Sequence, residues 1–412
     1  MALPLTRIGE REVGVRVLVA TIAGGGHFGP LVPFAAACRR TGHQVLVAAP
    51  ESFAAPVKRA GYDFWPCADL PEDSWRAVMA KLEGLDQDTA NGLVMREVFA
   101  NLNAHAVLPR MFAAVEEWRP DVILRESCEF ASYIAAERAG LPHVCVGVTL
   151  GEFETSLPEL VSAPVAELRV SAGLAPDPDG DRLWQAPFLT LAPVSLGDPA
   201  SSGRSHVRRF REPALDTPAQ ALPLWWADDD DPLVYVTFGS VVGGSPEVTA
   251  VLRAVVEALA DLPVRLLVTL GDWGDPAGWE PTPPNLHVER WVPQAQVLPH
   301  TAATVCHGGS GTVLGSLAHG VPLVVVPLFA DQPQNARRIA EIGAGLAVEV
   351  EPTHSFFGVS VDPTTVVAAL RQVLAEPGFR SAAWRVAEEI RALPPTDAAV
   401  DMLRDIVTTR TR

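Results

Sequence analysis

Short apolar runs alternate with helical patterns along the first half of the chain. The apolar runs 15–21 and 44–50 flank residues 30–42, whose apolar positions recur at helical spacing up to a glycine. Runs of this length predict buried strands, and a strand, a helix and a second strand in succession predict parallel pairing. The alternation continues with a strand, a helix and a strand at 121–127, 130–140 and 143–149. This half therefore predicts a parallel sheet with helices on both faces.

The same alternation starts again near residue 233. Strand patterns and one long helical pattern (248–263) follow, the strands at 233–240, 264–271, 286–293, 303–310 and 322–328. Prolines, two tryptophans and an acidic run make residues 214–232 typical of a linker. Residues 151–213 carry several prolines and predict a loop-rich segment, whereas residues 380–409 predict a helix that breaks at Pro394 and Pro395.

These patterns predict an α/β protein with two doubly wound, Rossmann-like domains that face each other across a cleft. We place the first domain at 1–213, the linker at 214–232, the second domain at 233–379 and a C-terminal helical segment at 380–412. Ligands of such sheets bind beyond the carboxyl ends of the strands. The cleft is therefore the expected ligand site.

Charge and cysteine usage exclude several classes of partner. The 412 residues carry a formal net charge of −17, which argues against nucleic acid and anionic membranes. Apolar runs are too short to span a bilayer, and the N-terminal residues are charged where a signal peptide needs an apolar stretch. Five cysteines lie without paired spacing, which favours reduced thiols and a cytoplasmic location. We expect a monomer or a homodimer.

A glycine-rich turn follows the first predicted strand. Its sequence GGGHFGP (24–30) matches the G-x-G-x-x-G spacing of a dinucleotide-binding turn, and Glu51 stands near the offset of the acidic residue in such proteins. However, Pro30 favours a helix that begins only at the last glycine, and His27 fills space where backbone must approach a phosphate. An NAD- or FAD-dependent oxidoreductase is thus one alternative, and a turn that presents His27 as a catalyst is the other.

A second glycine loop lies in the other half, within residues 303–320. The backbone N–H groups of Gly309, Ser310, Gly311 and Thr312 would point from a helix N-terminus, where the helix dipole also favours an anion. His307, at the end of the preceding strand, could donate a further hydrogen bond. A diphosphate fits this arrangement, although a plain strand-to-helix turn would use the same glycines for tightness.

The sequence around this loop carries a specific resemblance. Residues 290–336 contain Trp291-x-Pro293-Gln294, His307-x-Gly309, Pro327 and the pair Asp331–Gln332. In order and spacing this stretch resembles the donor-binding signature of nucleotide-sugar glycosyltransferases of the glycosyltransferase-B fold. It looks closest to actinobacterial enzymes that decorate natural products, including antibiotics. The resemblance implies two Rossmann-like domains and leaves room for a C-terminal helix that returns to the N-terminal domain.

The resemblance also implies roles for individual residues of the second half. Trp291 and Val292 would line the base pocket, although Trp291 could equally pack in a core. Ser240 would lie near the phosphates, and Asp331 and Gln332 would hydrogen-bond the sugar hydroxyls. The diphosphate would be held by the phosphate-loop residues His307, Gly309, Ser310, Gly311 and Thr312.

On the acceptor side, GHFGP matches the family's Gly-His-x-x-Pro turn, whose histidine is the general base. We therefore favour His27 as catalyst over the dinucleotide turn. The family places an acidic residue after the strand PDxxxxD, and here that position is Glu126, one methylene longer than aspartate. Glu126 would orient His27, but Ser127 or another carboxylate could do so, and Glu126 could instead cap the helix 130–140. Candidate acceptor contacts are Phe28, Phe130 and the segment 151–190.

The lack of a glutamate after the second glycine loop indicates which nucleotide the donor carries. Family members that use uridine donors commonly carry a glutamate eight residues after the phosphate-loop histidine, where it binds both ribose hydroxyls. Eight residues after His307 stands Gly315, which favours a TDP-sugar, because deoxyribose has no 2′-hydroxyl to satisfy. The alternative is that Gly315 only permits close helix packing.

Together these observations predict an inverting glycosyltransferase that moves a sugar to a hydroxyl of a small apolar natural product. We expect no cofactor and no metal, because no His/Cys cluster has ligand spacing and the acidic runs 177–181 and 228–231 read as solvated loops. The alternatives are the oxidoreductase, a non-catalytic activator that binds a sugar nucleotide, and a nucleotide-sugar epimerase of the same fold.

Overall fold

A computed structural model of the protein contains two large β-sheets, each made of parallel strands. The structure describes residues 14–198, 204, 206–213, 231–240, 245–271, 274–280, 282–353 and 358–410. Most of the predicted linker, residues 214–230, lies outside this set. Each sheet has helices packed on both faces, so the predicted architecture of two doubly wound domains is confirmed.

The first sheet has seven parallel strands in the order β3-β2-β1-β4-β5-β6-β7. Its strands are β1 (Arg16–Ala20), β2 (Gln44–Pro50), β3 (Asp63–Cys67), β4 (Val122–Glu126), β5 (His143–Val146), β6 (Phe188–Thr190) and β7 (Val207–Arg209). The central strands β1 and β4 pair in register, with Val17 opposite Val122 and Ala20 opposite Arg125. Buried apolar side chains on both faces of these strands explain their apolar runs, and β4 ends in the buried charged residues Arg125 and Glu126.

Nine helices of the first domain lie in the described residues: α1 (Gly25–Phe28), α2 (Val32–Arg40), α3 (Ala54–Arg59), α4 (Glu72–Leu82), α5 (Gln87–Leu93), α6 (Ala104–Trp118), α7 (Ala131–Ala139), α8 (Gly151–Ser171) and α9 (Asp181–Trp184). A stretch of wider, π-helical turns at Val94–Asn103 joins α5 to α6. This stretch packs against α8 and reaches the cleft.

The expectation of a loop-rich segment from residue 151 was wrong. Residues Gly151–Ser171 form the long helix α8, although it contains Pro158 and Pro164. Its buried apolar residues recur every three to four positions and form one continuous stripe: Phe153, Leu157, Val161, Val165 and Leu168. Burial of this stripe against the domain core outweighs the backbone hydrogen bonds that the prolines remove.

The second sheet has six parallel strands in the order β10-β9-β8-β11-β12-β13. These strands are β8 (Leu233–Thr237), β9 (Arg265–Thr269), β10 (Leu286–Glu289), β11 (Ala303–Cys306), β12 (Leu323–Val325) and β13 (Gly345–Ala347). A separate antiparallel pair is formed by β14 (Glu351–Pro352) and β15 (Val359–Ser360). Several strands end earlier than their apolar runs predict, because the chain turns into the cleft: β10 ends before Trp291, and β11 ends at Cys306, before the glycine loop.

Seven further helices follow in the described part of the chain: α10 (Pro246–Leu259), α11 (Gln294–Val297), α12 (Ser310–Ala318), α13 (Gln332–Glu341), α14 (Pro363–Ala375), α15 (Pro377–Ala392) and α16 (Ala398–Arg410). The predicted C-terminal helical segment divides between the domains. Helix α15 packs on α12, whereas α16 buries Val400 and Leu403 in the core of the first domain. Arg40 and Asp397 form an ion pair beside this contact. The C-terminal helix thus returns to the N-terminal domain.

Side chains also link the two domains directly. Asn91 donates a 2.8 Å hydrogen bond to the carbonyl oxygen of Ala330. On another side, the backbone N–H of Ser195 donates to Glu389, and Arg338 donates to the carbonyl oxygen of Ser195. Across the described ranges, no helix combines the length and the apolarity needed to cross a membrane.

Candidate active site

Strand pairing brings the first two predicted catalytic residues together. His27 lies on the short helix α1 after β1, and Glu126 is the last residue of the neighbouring strand β4. The His27 Nδ1 atom is 3.4 Å from the Glu126 Oε1 atom. The Glu126 side chain is fully buried, whereas that of His27 is 24% exposed although its Nδ1 is buried. The exposed part of the imidazole ring therefore lies on the side away from Glu126, toward the cleft.

The hydrogen bonds of Glu126 and its neighbours show that Glu126 is the carboxylate that faces His27. Its Oε2 accepts a 2.5 Å hydrogen bond from the backbone N–H of Cys128. Ser127, the alternative orienting residue, donates its hydroxyl to Glu154 instead, at 2.7 Å. The helix-cap alternative is also wrong, because Glu129 accepts the hydrogen bond from the backbone N–H of Ser132 in the first turn of α7. These contacts favour Glu126 as the partner of His27.

An aromatic ring missed by the sequence reasoning borders the imidazole. The Phe99 ring meets the His27 ring edge-on, with centroids 5.6 Å apart and planes at 71°. Phe99 belongs to the π-helical stretch Val94–Asn103, which lies between β3 and β4 in the chain. No motif marks this residue, since only the packing of that stretch against the cleft brings it to His27.

The predicted acceptor contacts Phe28 and Phe130 are placed differently from the expectation. Phe28 is 5% exposed and packs edge-on against Phe53 and Tyr62, and Phe130 is 1% exposed in the other core of the first domain. The turn of α1 points Phe28 to the opposite side from His27, its chain neighbour. Both rings therefore stabilise the fold and present almost no surface to the cleft, which corrects their assignment.

The second glycine loop lies at the N-terminus of α12, as the sequence predicts. Gly309 precedes the helix, which begins at Ser310, so the first backbone N–H groups of α12 open toward the cleft. Asn335 fixes the loop from α13 by donating a 2.8 Å hydrogen bond to the carbonyl oxygen of Gly308. Gly308 itself has a φ of +90°, a backbone conformation that favours glycine.

His307 packs tightly between two glycines. A Cβ atom on Gly309 would lie 2.4 Å from the His307 Nε2, and one on Gly239 would lie 2.8 Å from it. Burial lowers the pKa of His307 to about 4, against a backbone hydrogen bond at Thr237 that raises it. The imidazole is therefore neutral at cellular pH and carries a single N–H.

Asp331 lies at the start of α13, beside the glycine loop that precedes α12. Its Oδ2 accepts hydrogen bonds of 2.8 Å from the Ser310 hydroxyl and from the Asn335 amide. Burial raises the pKa of the Asp331 carboxyl, and these hydrogen bonds and the charge of His27 act in the opposite direction. His27 therefore contributes to the electrostatic surroundings of Asp331.

One end of the Gln332 side-chain amide already forms hydrogen bonds within the protein. Its Oε1 accepts hydrogen bonds from the backbone N–H groups of Leu328 (2.9 Å) and Phe329 (3.1 Å), which fold the turn after β12. The amide nitrogen is thus the group of Gln332 that can reach a ligand. Ser240 also lies at the cleft, because a Cβ atom on Gly25 would be 3.1 Å from its Oγ. The end of β8 therefore contacts the turn that carries His27.

The residues predicted for the base and the ribose lie along the outer side of α12. Trp291 is 65% exposed, so the alternative of a core tryptophan is wrong. Val292 packs against the small apolar cluster of Leu233, Tyr235, Leu267, Val297 and Leu298. Gln294 donates to the hydroxyls of Tyr235 (3.4 Å) and Thr312 (3.3 Å). Its Oε1 would be 3.3 Å from a Cβ atom on Gly315, so the space beside Gly315 is narrow.

Comparison with known families decides the class of this protein. The family described as erythromycin biosynthesis protein CIII-like matches through its N-terminal domain at residues 36–172 and through its C-terminal domain at residues 253–406. The chain belongs to this glycosyltransferase family. Membership argues against an oxidoreductase built on the turn at 24–29.

Individual relatives agree with this assignment over nearly the whole chain. The elloramycin glycosyltransferase ElmGT of Streptomyces olivaceus is 32% identical over 93% of this chain and 96% of its own length. The TDP-daunosamine transferase DnrS of Streptomyces peucetius is 27% identical over 95% of this chain and 97% of its own. The crystal structure of the glycosyltransferase SnogD from Streptomyces nogalater superposes with a TM-score of 0.71 at 26% identity, covering 96% of this chain and all of that one. The glycosyltransferase-B fold follows.

Three polar or aromatic residues of this glycosyltransferase site escaped the sequence reasoning. Asn335 ties together the phosphate loop and Asp331, Asn91 bridges the domains at Ala330, and Phe99 borders His27. The only signal in the sequence is the position of Asn335 four residues after Asp331, which puts both on one face of a helix. The other two depend on tertiary packing alone.

Proposed function

We propose that this chain is an inverting glycosyltransferase that moves a sugar from TDP to a hydroxyl group of a small apolar natural product. The observation that carries the proposal is the position of the His27 imidazole. Its Nδ1 lies toward the buried Glu126, its side chain is 24% exposed, and the turn that carries it approaches Ser240 of the other domain.

In the proposed reaction His27 is the general base. Glu126 holds a proton on Nδ1, so that Nε2 carries the lone pair that accepts the proton of the acceptor hydroxyl. The hydroxyl oxygen bonds to the anomeric carbon from the face opposite the diphosphate, and the bond between that carbon and the phosphate oxygen breaks. The anomeric configuration is thereby inverted, and the proton remains on His27, where the charge of Glu126 stabilises it.

The second domain would bind the donor and stabilise the leaving diphosphate. The free backbone N–H groups at the start of α12 would donate hydrogen bonds to the diphosphate, and they lie at the positive end of the helix dipole. The neutral His307 would donate its single N–H to the same group. No metal is required in this proposal. The Asp331 carboxylate and the Gln332 amide nitrogen would bind sugar hydroxyls close to His27. Trp291 would cover the base.

Thymidine is the proposed nucleoside of the donor for two reasons. Gly315 offers no side chain to a ribose 2′-hydroxyl, and Gln294 and Leu298 restrict the space beside it. A relative over almost the full chain is named a TDP-daunosamine transferase. We also place the enzyme in the cytoplasm, since all five cysteines are free and buried.

The test is a product analysis with the isolated chain. The purified protein is incubated with a panel of TDP- and UDP-sugars and polyphenolic or macrolide acceptors, with and without a chelator, and products are identified by mass spectrometry and by the anomeric coupling in NMR. We expect transfer with inversion, and equal rates with chelator. Retained configuration or a strict metal requirement would overturn the mechanism. An isolated chain that binds TDP-sugars without transfer on any acceptor would indicate the non-catalytic activator.

A further inference from the structure

A cysteine that the proposed reaction does not use lies beside the catalytic pair. His27, Glu126 and Cys128 each offer one ligand atom, and these atoms all lie within 4.8 Å of one another. Spacing in the sequence gives no sign of this cluster, because His27 precedes Glu126 and Cys128 by about a quarter of the chain. Glu126 and Cys128 are buried, whereas His27 is open to the cleft.

Two atoms of this cluster are buried without a hydrogen-bond partner in the described structure. They are the Nδ1 of His27 and the Oε1 of Glu126, and they face each other at 3.4 Å. This separation also matches that of two ligands of one ion. Ligand atoms about 2.0–2.1 Å from a tetrahedral Zn²⁺ are about 3.4 Å apart.

The geometry points to an inhibitory zinc site formed by His27, Glu126 and Cys128. Imidazole nitrogen, carboxylate oxygen and thiolate sulfur are the three ligand types that Zn²⁺ takes, and a water at the cleft would complete the tetrahedron. The thiol selects against Mg²⁺ and Ca²⁺, which require oxygen ligands. The other oxygen of Glu126 accepts a hydrogen bond from the backbone N–H of Cys128, which supports the carboxylate from behind.

Inhibition follows from where the ion binds, and this part of the inference rests on the proposed function. Zn²⁺ replaces the proton at Nδ1 of His27, and a neutral imidazole with a metal on Nδ1 carries its proton on Nε2. The Cys128 thiol loses its proton to solvent when the sulfur binds the ion. His27 then has no free lone pair to accept the proton of the acceptor hydroxyl. Zinc therefore removes the general base without contact with the donor site.

Metal binding is tested first without any reaction. Cobalt(II) replaces zinc in such sites and gives a thiolate-to-cobalt charge-transfer absorption when sulfur is a ligand. We expect this absorption with the full chain and its displacement by one equivalent of Zn²⁺. Cys128→Ser, or Cys128→Ala, should abolish it. Cys38→Ser, which changes a buried cysteine on α2, is the matched control and should retain it.

Inhibition is tested in the glycosyl transfer assay, with each zinc-treated rate divided by the zinc-free rate of the same variant. Cys128→Ser should raise the half-inhibitory zinc concentration at least about tenfold, while Cys38→Ser leaves it unchanged. The zinc site is overturned if the cobalt absorption persists in Cys128→Ser, or if zinc inhibits both variants equally. A chain that shows the absorption but transfers no sugar without zinc would contradict the proposed function and leave the metal site supported.

Discussion

The Nδ1 atom of His27 lies 3.4 Å from the Oε1 atom of Glu126 because their strands are neighbours in one sheet. Strands β1 and β4 pair in parallel with Ala20 opposite Arg125, so the residues that follow both strands meet at the same edge. Glu126 is one methylene longer than the aspartate of the family pattern and still reaches the imidazole.

Removal of the imidazole tests the general base. His27→Ala should lower kcat by ~10²–10⁴-fold, the usual contribution of such a base, while the Kd for the nucleotide sugar changes little. Steady-state kinetics and calorimetry measure the two quantities. His105→Ala, on the exposed side of α6, is the control. An equal loss of turnover and donor affinity would instead indicate that the turn at 24–29 binds phosphate.

Glu126→Gln tests the orienting carboxylate. The glutamine oxygen can still accept the hydrogen bond from the Cys128 backbone N–H, so the fold should be kept and only the charge beside His27 is lost. We expect a drop in kcat smaller than that of His27→Ala, since the imidazolium that forms during the reaction loses its stabilising partner. A fully active Glu126→Gln enzyme would show that Glu126 does not orient His27.

Asp331→Ala should weaken binding of the TDP-sugar but scarcely change that of TDP. Each lost hydrogen bond to the sugar should cost about 0.5–1.5 kcal/mol. Paired titrations with the two ligands measure the difference. Asn335→Ala is the informative comparison, because it leaves the buried carbonyl of Gly308 without its hydrogen bond. This change should lower the Tm and weaken the binding of TDP and of the TDP-sugar equally. Equal losses for both ligands in Asp331→Ala would remove Asp331 from the sugar site.

The preference for thymidine is expected to depend on Gly315. The enzyme should bind TDP more tightly than UDP by ~1–2 kcal/mol, and Gly315→Glu should narrow this difference by offering a carboxylate to the 2′-hydroxyl. Because a Cβ atom there would lie 3.2 Å from the Leu298 Cδ1, Gly315→Ala controls for crowding alone. Tighter binding of UDP by the unchanged enzyme would overturn the assignment.

A buried carboxyl near the site should make stability depend on pH. Burial raises the pKa of Glu129 from 4.5 to about 7, against the hydrogen bonds from Ser132, which lower it. The folded state therefore prefers the protonated form, and its stabilisation, complete below pH 4.5, is lost as the pH rises toward about 7.

Glu129→Gln keeps a neutral side chain at this position. The free energy of unfolding of the unchanged protein, measured relative to Glu129→Gln, should fall by a few kcal/mol between pH 4.5 and 7. Denaturant titrations at several pH values measure it, with the exposed Glu83→Gln as control. A difference that does not change over this range would show that Glu129 titrates normally.

The sequence by itself determined the two sheets, the two glycine turns and the helix that begins after the second turn. These features are local: an apolar run becomes a buried strand, and glycines followed by a helical pattern become a turn and a helix start. The pairing of His27 with Glu126 was also predictable, because parallel strands end at one edge of a sheet.

Only the tertiary structure decided which side chains face the cleft. Phe28 and Phe130 turned inward, since each completes an apolar core, and Trp291 remained exposed. The long helix α8 formed through two prolines because the buried stripe along it outweighs their cost. Cys128 lies close to His27, and Ser240 lies close to Gly25 of the same turn, through contacts between segments far apart in the chain. Such contacts depend on how whole elements and domains pack, and no local pattern of residues encodes them.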